Sequence, residues 1–211
     1  MKILMLVNWK VLSCKETPND KQPPDYRVEG EPYWFYRYFN QKDDVDIIDI
    51  SSVSWLENFE REKLRFYVLQ ALKAIAKLHK YDLIVSHGMQ SAVVVCLYRR
   101  FFRGKEKHIV FDIGSFNSAA ESGSALKLMQ FASRSIDGLI YHTSAQHAYY
   151  EKFFPWLVEK SQFVRFGTDG VFWKKETDSK EEIKDAAAVE NSSVPYILCV
   201  GYIKRDWDTL Y

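Results

Sequence analysis

Residues 81–112, YDLIVSHGMQSAVVVCLYRRFFRGKEKHIVFD, decide how the chain folds. Leu83-Ile84-Val85 is a continuous apolar run of strand length that ends at Ser86-His87-Gly88. Gln90–Phe102 follows at helical length and turns strongly basic at Arg99, Arg100 and Arg103. Ile109-Val110-Phe111 is a second apolar run, closed by Asp112. Continuous apolar runs suit strands buried on both faces of a parallel sheet, and parallel strands need a crossover, usually a helix. The stretch therefore reads as one strand–helix–strand unit.

The alternation continues on both sides. Upstream lie strands Ile3–Val7 and Val45–Ile50, then helix Asn58–Lys80, with Leu64, Val68, Leu72 and Ile75 on one apolar stripe. Downstream lie helix Ala125–Ser135, strand Leu139–Tyr141, helix Ser144–Phe154 and strand Gln162–Phe166. Thr143 with Gln146 spells a capping box at the start of the Ser144 helix, and Pro155 stops that helix. Asn8–Glu31, with three prolines and Gly30, reads as a long loop, and Pro32 opens an aromatic helix over Tyr33–Phe39. The expected fold is α/β: a Rossmann-like parallel sheet with helices on both faces. The expected domain spans 1–173, and a charge-rich linker occupies 174–194. Residues 195–211 then read as the first strand and turn of a second domain, with Tyr196–Val200 as strand and Gly201 as turn.

Composition narrows the function classes. A net charge of +1 gives no global pull toward nucleic acid or anionic lipid, so a partner of that kind has to be argued from a local patch. Cys14, Cys96 and Cys199 are sparse, odd in number and widely spaced, which suits a reducing compartment rather than a disulfide framework. The apolar start ends at Asn8, too short for a signal-peptide core, and no run reaches membrane-spanning length. A cytoplasmic protein is expected. One local patch stands out in Tyr98–His108, where Arg99, Arg100, Arg103, Lys105 and Lys107 interleave with Tyr98, Phe101 and Phe102. It fits peripheral contact with the inner face of an anionic membrane, or a solvated helix end, and the second is favoured.

In parallel α/β sheets ligands bind beyond the carboxyl ends of the strands. Here those ends are Asn8, Ser51, Ser86-His87-Gly88, Asp112–Asn117, His142-Thr143 and Gly167-Thr168-Asp169. Asn8-Trp9-Lys10-Val11-Leu12 after the first strand has no glycine, which argues against a dinucleotide enzyme, and no P-loop is present. His142 and His147 are five apart, off the spacing that sets two metal ligands on one helix face, and G-x-S-x-G is missing. His87 and Asp112 close neighbouring strands and are the candidates to orient or deprotonate a substrate hydroxyl. The other reading of both is a helix cap or a loop-backbone partner.

Residues 163–172, FVRFGTDGVF, are more specific: a strand runs into Gly-Thr-Asp-Gly, with an aromatic three residues beyond Asp169. Through Gly167, Asp169 and Phe172 the segment resembles the signature closing the N-terminal domain of family 4 retaining glycosyltransferases, which have the two-domain GT-B fold. MKILMLVN at the start, YDLIVSH at 81–87 and LIYHTS at 139–144 are similar to other motifs of that family in the same order. YILCVGYIKRDWDTL at 196–210 resembles the opening of its C-terminal domain. The resemblance implies transfer of a sugar from a nucleotide-sugar to an acceptor hydroxyl with retention, with no metal and no cofactor beyond the co-substrate. The acceptor would be a glycan, a lipid-linked or a small molecule, and nucleic acid is not expected.

By the same resemblance His87 and Asp112 are catalytic candidates. Gly201, Lys204 and Arg205 would hold the donor phosphates, and Gly30, Asn8, Ser115, Asn117 and Asp169 would line the acceptor cleft. The chain departs from the family pattern in three places. A lone Gly30 stands where the family has Gly-Gly. Tyr202 replaces the arginine after the turn glycine, and Asp112 lies where a histidine is usual. The family's paired-glutamate segment falls beyond Tyr211, so these 211 residues alone are expected to be inactive. Two other readings stay open: a non-catalytic glycan- or acceptor-binding domain, including one that pairs with a separate donor-domain chain, and a non-sugar Rossmann-like enzyme using His87 and Asp112.

Overall fold

The structure is a computed structural model that describes residues 1–21, 23–37, 43–64, 66–102, 104–114 and 121–165. Strands β1 (Lys2–Leu6), β2 (Leu12–Cys14), β3 (Tyr26–Val28) and β4 (Asp44–Ile48) come first. Helices α1 (Ser54–Phe59) and α2 (Val68–Ile75), strand β5 (Leu83–His87) and helix α3 (Met89–Phe101) follow. The remainder is β6 (Lys107–Asp112), α4 (Ser124–Ser133), β7 (Gly138–Tyr141), α5 (Ser144–Phe153), α6 (Pro155–Val158) and β8 (Ser161–Phe163). Six strands form one parallel sheet in the order β4-β1-β5-β6-β7-β8. The six strands expected within 1–173 are there, the expected strand Tyr196–Val200 lies outside the described residues, and the Rossmann-like α/β architecture is as read.

The strand order fixes where the helices go. From β1 the chain steps one way to β4, then returns past β1 to β5 and keeps going. A right-handed crossover puts connections of one direction on one face. Leu4, Leu6 and Ile84 pack against Ala71 and Ala74 of α2 and Val95 of α3. In register with them, Val110 and Leu139 pack against α3, α4 and α5. Helices on both faces were expected; α2 to α5 all lie on this one face. The opposite face of β4, β1 and β5 carries Ile3, Met5, Val7 and Val85. Trp9, Val11, Tyr33, Phe35 and Tyr36 cover it, with a single 3-10 turn, Trp34–Tyr36, among them.

Three local expectations are corrected. The long helix Asn58–Lys80 is broken into α1, a π-turn at Glu60–Leu64, α2 and a 3-10 turn at Leu78–Lys80. Glu60 is the cause: its buried carboxylate accepts the Leu69 N–H at 2.8 Å, an N-terminal cap that starts a new helix. The face that α2 buries is Gln70, Ala71 and Ala74, while Leu72 of the expected stripe is exposed. Small side chains let the helix axis approach Leu4 and Leu6 closely. Within the loop Asn8–Glu31, β2 and β3 pair in parallel as a small second sheet. The aromatic helix 33–39 is the 3-10 turn as far as Arg37. The capping box is as read: Thr143 and Gln146 exchange both bonds, and Gln146 also donates to the Asp112 carbonyl at 2.8 Å.

Among the described residues no helix is long and apolar enough to cross a membrane. The linker and second-domain boundaries, 174–194 and 195–211, lie outside the described residues.

Candidate functional site

The chain leaves β1 for one side and β5 for the other, so a crevice opens between the carboxyl ends of these two strands, the usual ligand position of such sheets. His87 closes β5 there, and its Nδ1 is 3.1 Å from Oδ1 of Asn8, the second residue after β1. With that oxygen accepting, Nδ1 carries the proton and Nε2 presents its lone pair. Trp9 stands edge-on to the imidazole at 4.6 Å between centroids, and Phe35 lies 5.9 Å away. Phe35 also approaches Trp9 at 6.1 Å and Phe111 at 6.4 Å, so the rings wall one side of His87.

The wall is held from behind. Trp9 Nε1 and the Tyr33 hydroxyl both donate to the Pro24 carbonyl, at 3.2 and 2.8 Å. Val11 N–H donates to the Asp49 carboxylate at 2.9 Å, fastening the loop to the end of β4. Gln70 Nε2 donates to the carbonyls of Val7 and Ile48, both at 2.7 Å, which ties the ends of β1 and β4 to α2. Gly88 follows His87 with φ 82 and ψ 156, a conformation open essentially to glycine alone, and it turns the chain directly into α3.

Burial pulls the His87 imidazole down to a pKa of about 4, and the nearby His142 adds to the shift. The ring is therefore neutral at pH 7 and acts through hydrogen bonds rather than charge. His108, fully buried on β6, is lowered to about 3 by desolvation first and the Arg99 charge second. Its Nε2 is 2.8 Å from Ser86 Oγ, inside the core under α3.

Both histidines give the fold an acid sensitivity of definite sign. Their folded values lie below the ordinary 6.5, so the unfolded chain takes up protons first as pH falls. Stability is complete above 6.5 and is lost progressively toward 4 and 3. For His108 alone the linkage is worth roughly 2–3 kcal/mol by pH 4.5. Urea unfolding at pH 7 and at pH 4.5 should show that loss, and H108Q should flatten the profile while lowering stability at pH 7. Equal stability of the parent chain at both pH values would contradict the assignment.

Asp112 does not join His87. His87 is the register partner of Phe111, so Asp112, one residue on, points through the opposite face. It is fully buried there, accepting from the Tyr150 hydroxyl and from Gly114 N–H at 3.0 Å. The two residues read as one acceptor-binding pair serve different faces, and Asp112 fastens the β6 end to α5. Gly30 has φ 82 in a turn whose Glu31 N–H donates to Val28 O at 3.3 Å, and open space surrounds the position of a Cβ. Its conformation is a turn requirement. Ser115, Asn117, Asp169, Gly201, Lys204 and Arg205 lie outside the described residues. Among the described residues no group of three or more His, Cys, Asp or Glu is placed to hold a metal ion.

Trp9 and Phe35 were not among the residues read as site candidates, and His142 was named as a strand-end position but given no role. Trp9 directly follows Asn8 at a strand end, a signal available in the sequence; Phe35 needs the fold of the 9–37 segment to reach His87. No protein family matches this chain, and no curated protein matches it.

Proposed function

We propose that the chain is the acceptor-side part of a GT-B-type retaining glycosyltransferase that moves a sugar from a nucleotide-sugar to an acceptor hydroxyl. The observation that supports this reading most is the neutral His87 at the β1/β5 crevice, oriented by Asn8 and walled by Trp9 and Phe35. In the proposed mechanism Nε2 accepts the hydrogen bond of the acceptor hydroxyl and holds its oxygen toward the anomeric carbon. The aromatic rings take the apolar face of a sugar or aglycone. A front-face transfer asks for no strong base: the hydroxyl turns its proton from Nε2 to an oxygen of the departing diphosphate as the new glycosidic bond forms and the bond from the anomeric carbon to the diphosphate breaks. Cationic donors stabilise that diphosphate; the resemblance gives the role to Lys204 and Arg205 with Gly201, and gives Ser115, Asn117 and Asp169 to the cleft. The donor enters as co-substrate, with no metal or other cofactor in the scheme.

The test is release of nucleoside diphosphate by the complete gene product, over a panel of nucleotide-sugars with and without hydroxyl acceptors. Acceptor-dependent release with retained anomeric configuration is the expected result. Tight binding of a nucleotide-sugar by residues 1–165 alone would contradict the division of labour, because the donor would then sit on the acceptor side.

A further inference from the structure

The opposite end of the sheet, before the amino ends of β6, β7 and β8, carries a second constellation. Around the carboxyl end of α3 a cavity of about 310 Å³ is lined by Arg99, Arg100, Lys105, Lys107, Arg134 and Lys160. Its two carboxylates, Glu106 and Asp137, are already taken. Arg99 lies 3.7 Å from Glu106 Oε1 and donates to Asp137 Oδ2 at 3.0 Å. Arg100 rests 4.9 Å from the Phe131 ring, and its Nε–H is buried without an acceptor. Arg134 stacks at 4.2 Å on Trp156, so its charge is held in place at the rim. The guanidinium and ammonium groups that line the cavity outnumber its two carboxylates and are a donor set for a phosphate oxygen.

Beside the cavity, consecutive Phe101 and Phe102 are 70% and 62% exposed. Phe102 is stiffened by Tyr98, stacked at 4.9 Å, and Phe101 by Phe131 at 6.0 Å. A soluble anion would account for the cations and leave two large rings in water. A bilayer surface accounts for both: aromatic rings settle at the headgroup–acyl boundary while arginine and lysine meet phosphates. We propose that this face docks on an anionic membrane, with Phe101 and Phe102 entering the boundary and the cavity taking a lipid phosphate. The 13 residues of α3 separate the docking face from His87 by about 20 Å, so the lipid held here is an anchor and not the acceptor. The inference is independent of the glycosyl-transfer reading.

Sedimentation of the protein with phosphatidylcholine vesicles, with and without phosphatidylglycerol, tests it. Binding is expected with the anionic vesicles only and should weaken as salt rises. The double substitution F101S/F102S should weaken it at least about tenfold, and R100Q/K105Q by about tenfold or more. Both Phe side chains are exposed, so the Phe variant should keep its unfolding midpoint, which separates lost docking from lost fold. Absence of binding to anionic vesicles overturns the proposal, and so does binding that the Phe pair does not affect. Saturable uptake of inorganic phosphate, or capture of an acidic protein, without vesicle binding overturns it equally.

Discussion

Replacing Arg99 by methionine is expected to lower the unfolding free energy by about 3–5 kcal/mol. Arg99 is 8% exposed and donates to the carbonyls of Ser135 at 2.6 Å and Glu106 at 2.8 Å, besides its bond to the Asp137 carboxylate and its ion pair with the Glu106 carboxylate. Methionine can fill the stem volume but leaves Glu106, itself 4% exposed, as a buried charge with no cation in contact. That carboxylate lies against Gly104, where a Cβ would meet Glu106 Oε2. Burial pushes the Asp137 carboxyl up, but the His108 N–H and Arg99 outweigh it and hold it below the usual range. A depressed carboxyl stabilises the fold above its unfolded value and loses that contribution as pH falls through its folded value. The part of the R99M penalty that comes from Asp137 should thus be full at pH 7 and shrink as pH falls through and below the usual carboxylate range. Adding E106Q should recover part of the penalty. Urea unfolding at pH 7 and below that range measures this, and a penalty under about 1 kcal/mol at pH 7 would mean that the pair is solvated.

The central strands β1, β5, β6 and β7 were legible because each holds a continuous apolar run bounded by polar or turn residues, and that pattern follows from cover on both faces. The Thr143–Gln146 box was legible because it is a purely local exchange of bonds. Helix 58–80 was misread at its middle because Glu60, four residues before Leu64, looks like one more solvated charge. Only the fold shows its carboxylate turned in to cap Leu69. Strands β2 and β3, three residues each, have too few apolar positions to show a period. At the candidate site the strand-end rule found Asn8 and His87. It also offered Asp112, because position along a strand does not say which face a side chain takes; that needs the register with β5. Phe35 reaches His87 only because β2 and β3 pair and Tyr33 and Trp9 share the Pro24 carbonyl, contacts with no signature at sequence range.

His87 carries the largest functional prediction. In the complete gene product, H87A is expected to lower kcat/KM for acceptor-dependent transfer by about 10²–10³-fold, with the loss mainly in kcat. The reason is geometric: in the proposed transfer Nε2 would hold an oxygen that must meet the anomeric carbon, and water in its place cannot fix that position. Asn8 acts through His87, holding the Nδ1 proton and hence the tautomer, so N8A should cost roughly tenfold in kcat with little change in KM. Trp9 contributes contact area rather than proton placement, so W9A should raise KM and leave kcat nearly intact. The acidic limb of the parent's rate profile should fall near pH 4, where the imidazole protonates, rather than near 6.5. H87A should lose that limb. Alanine also removes a group that promotes acid unfolding, so the variant should be no less stable than the parent at pH 4.5. This separates a catalytic loss from a folding one. Transfer by H87A at the parent rate, with the acidic limb unmoved, would remove His87 from the reaction and return the β1/β5 crevice to a binding role only.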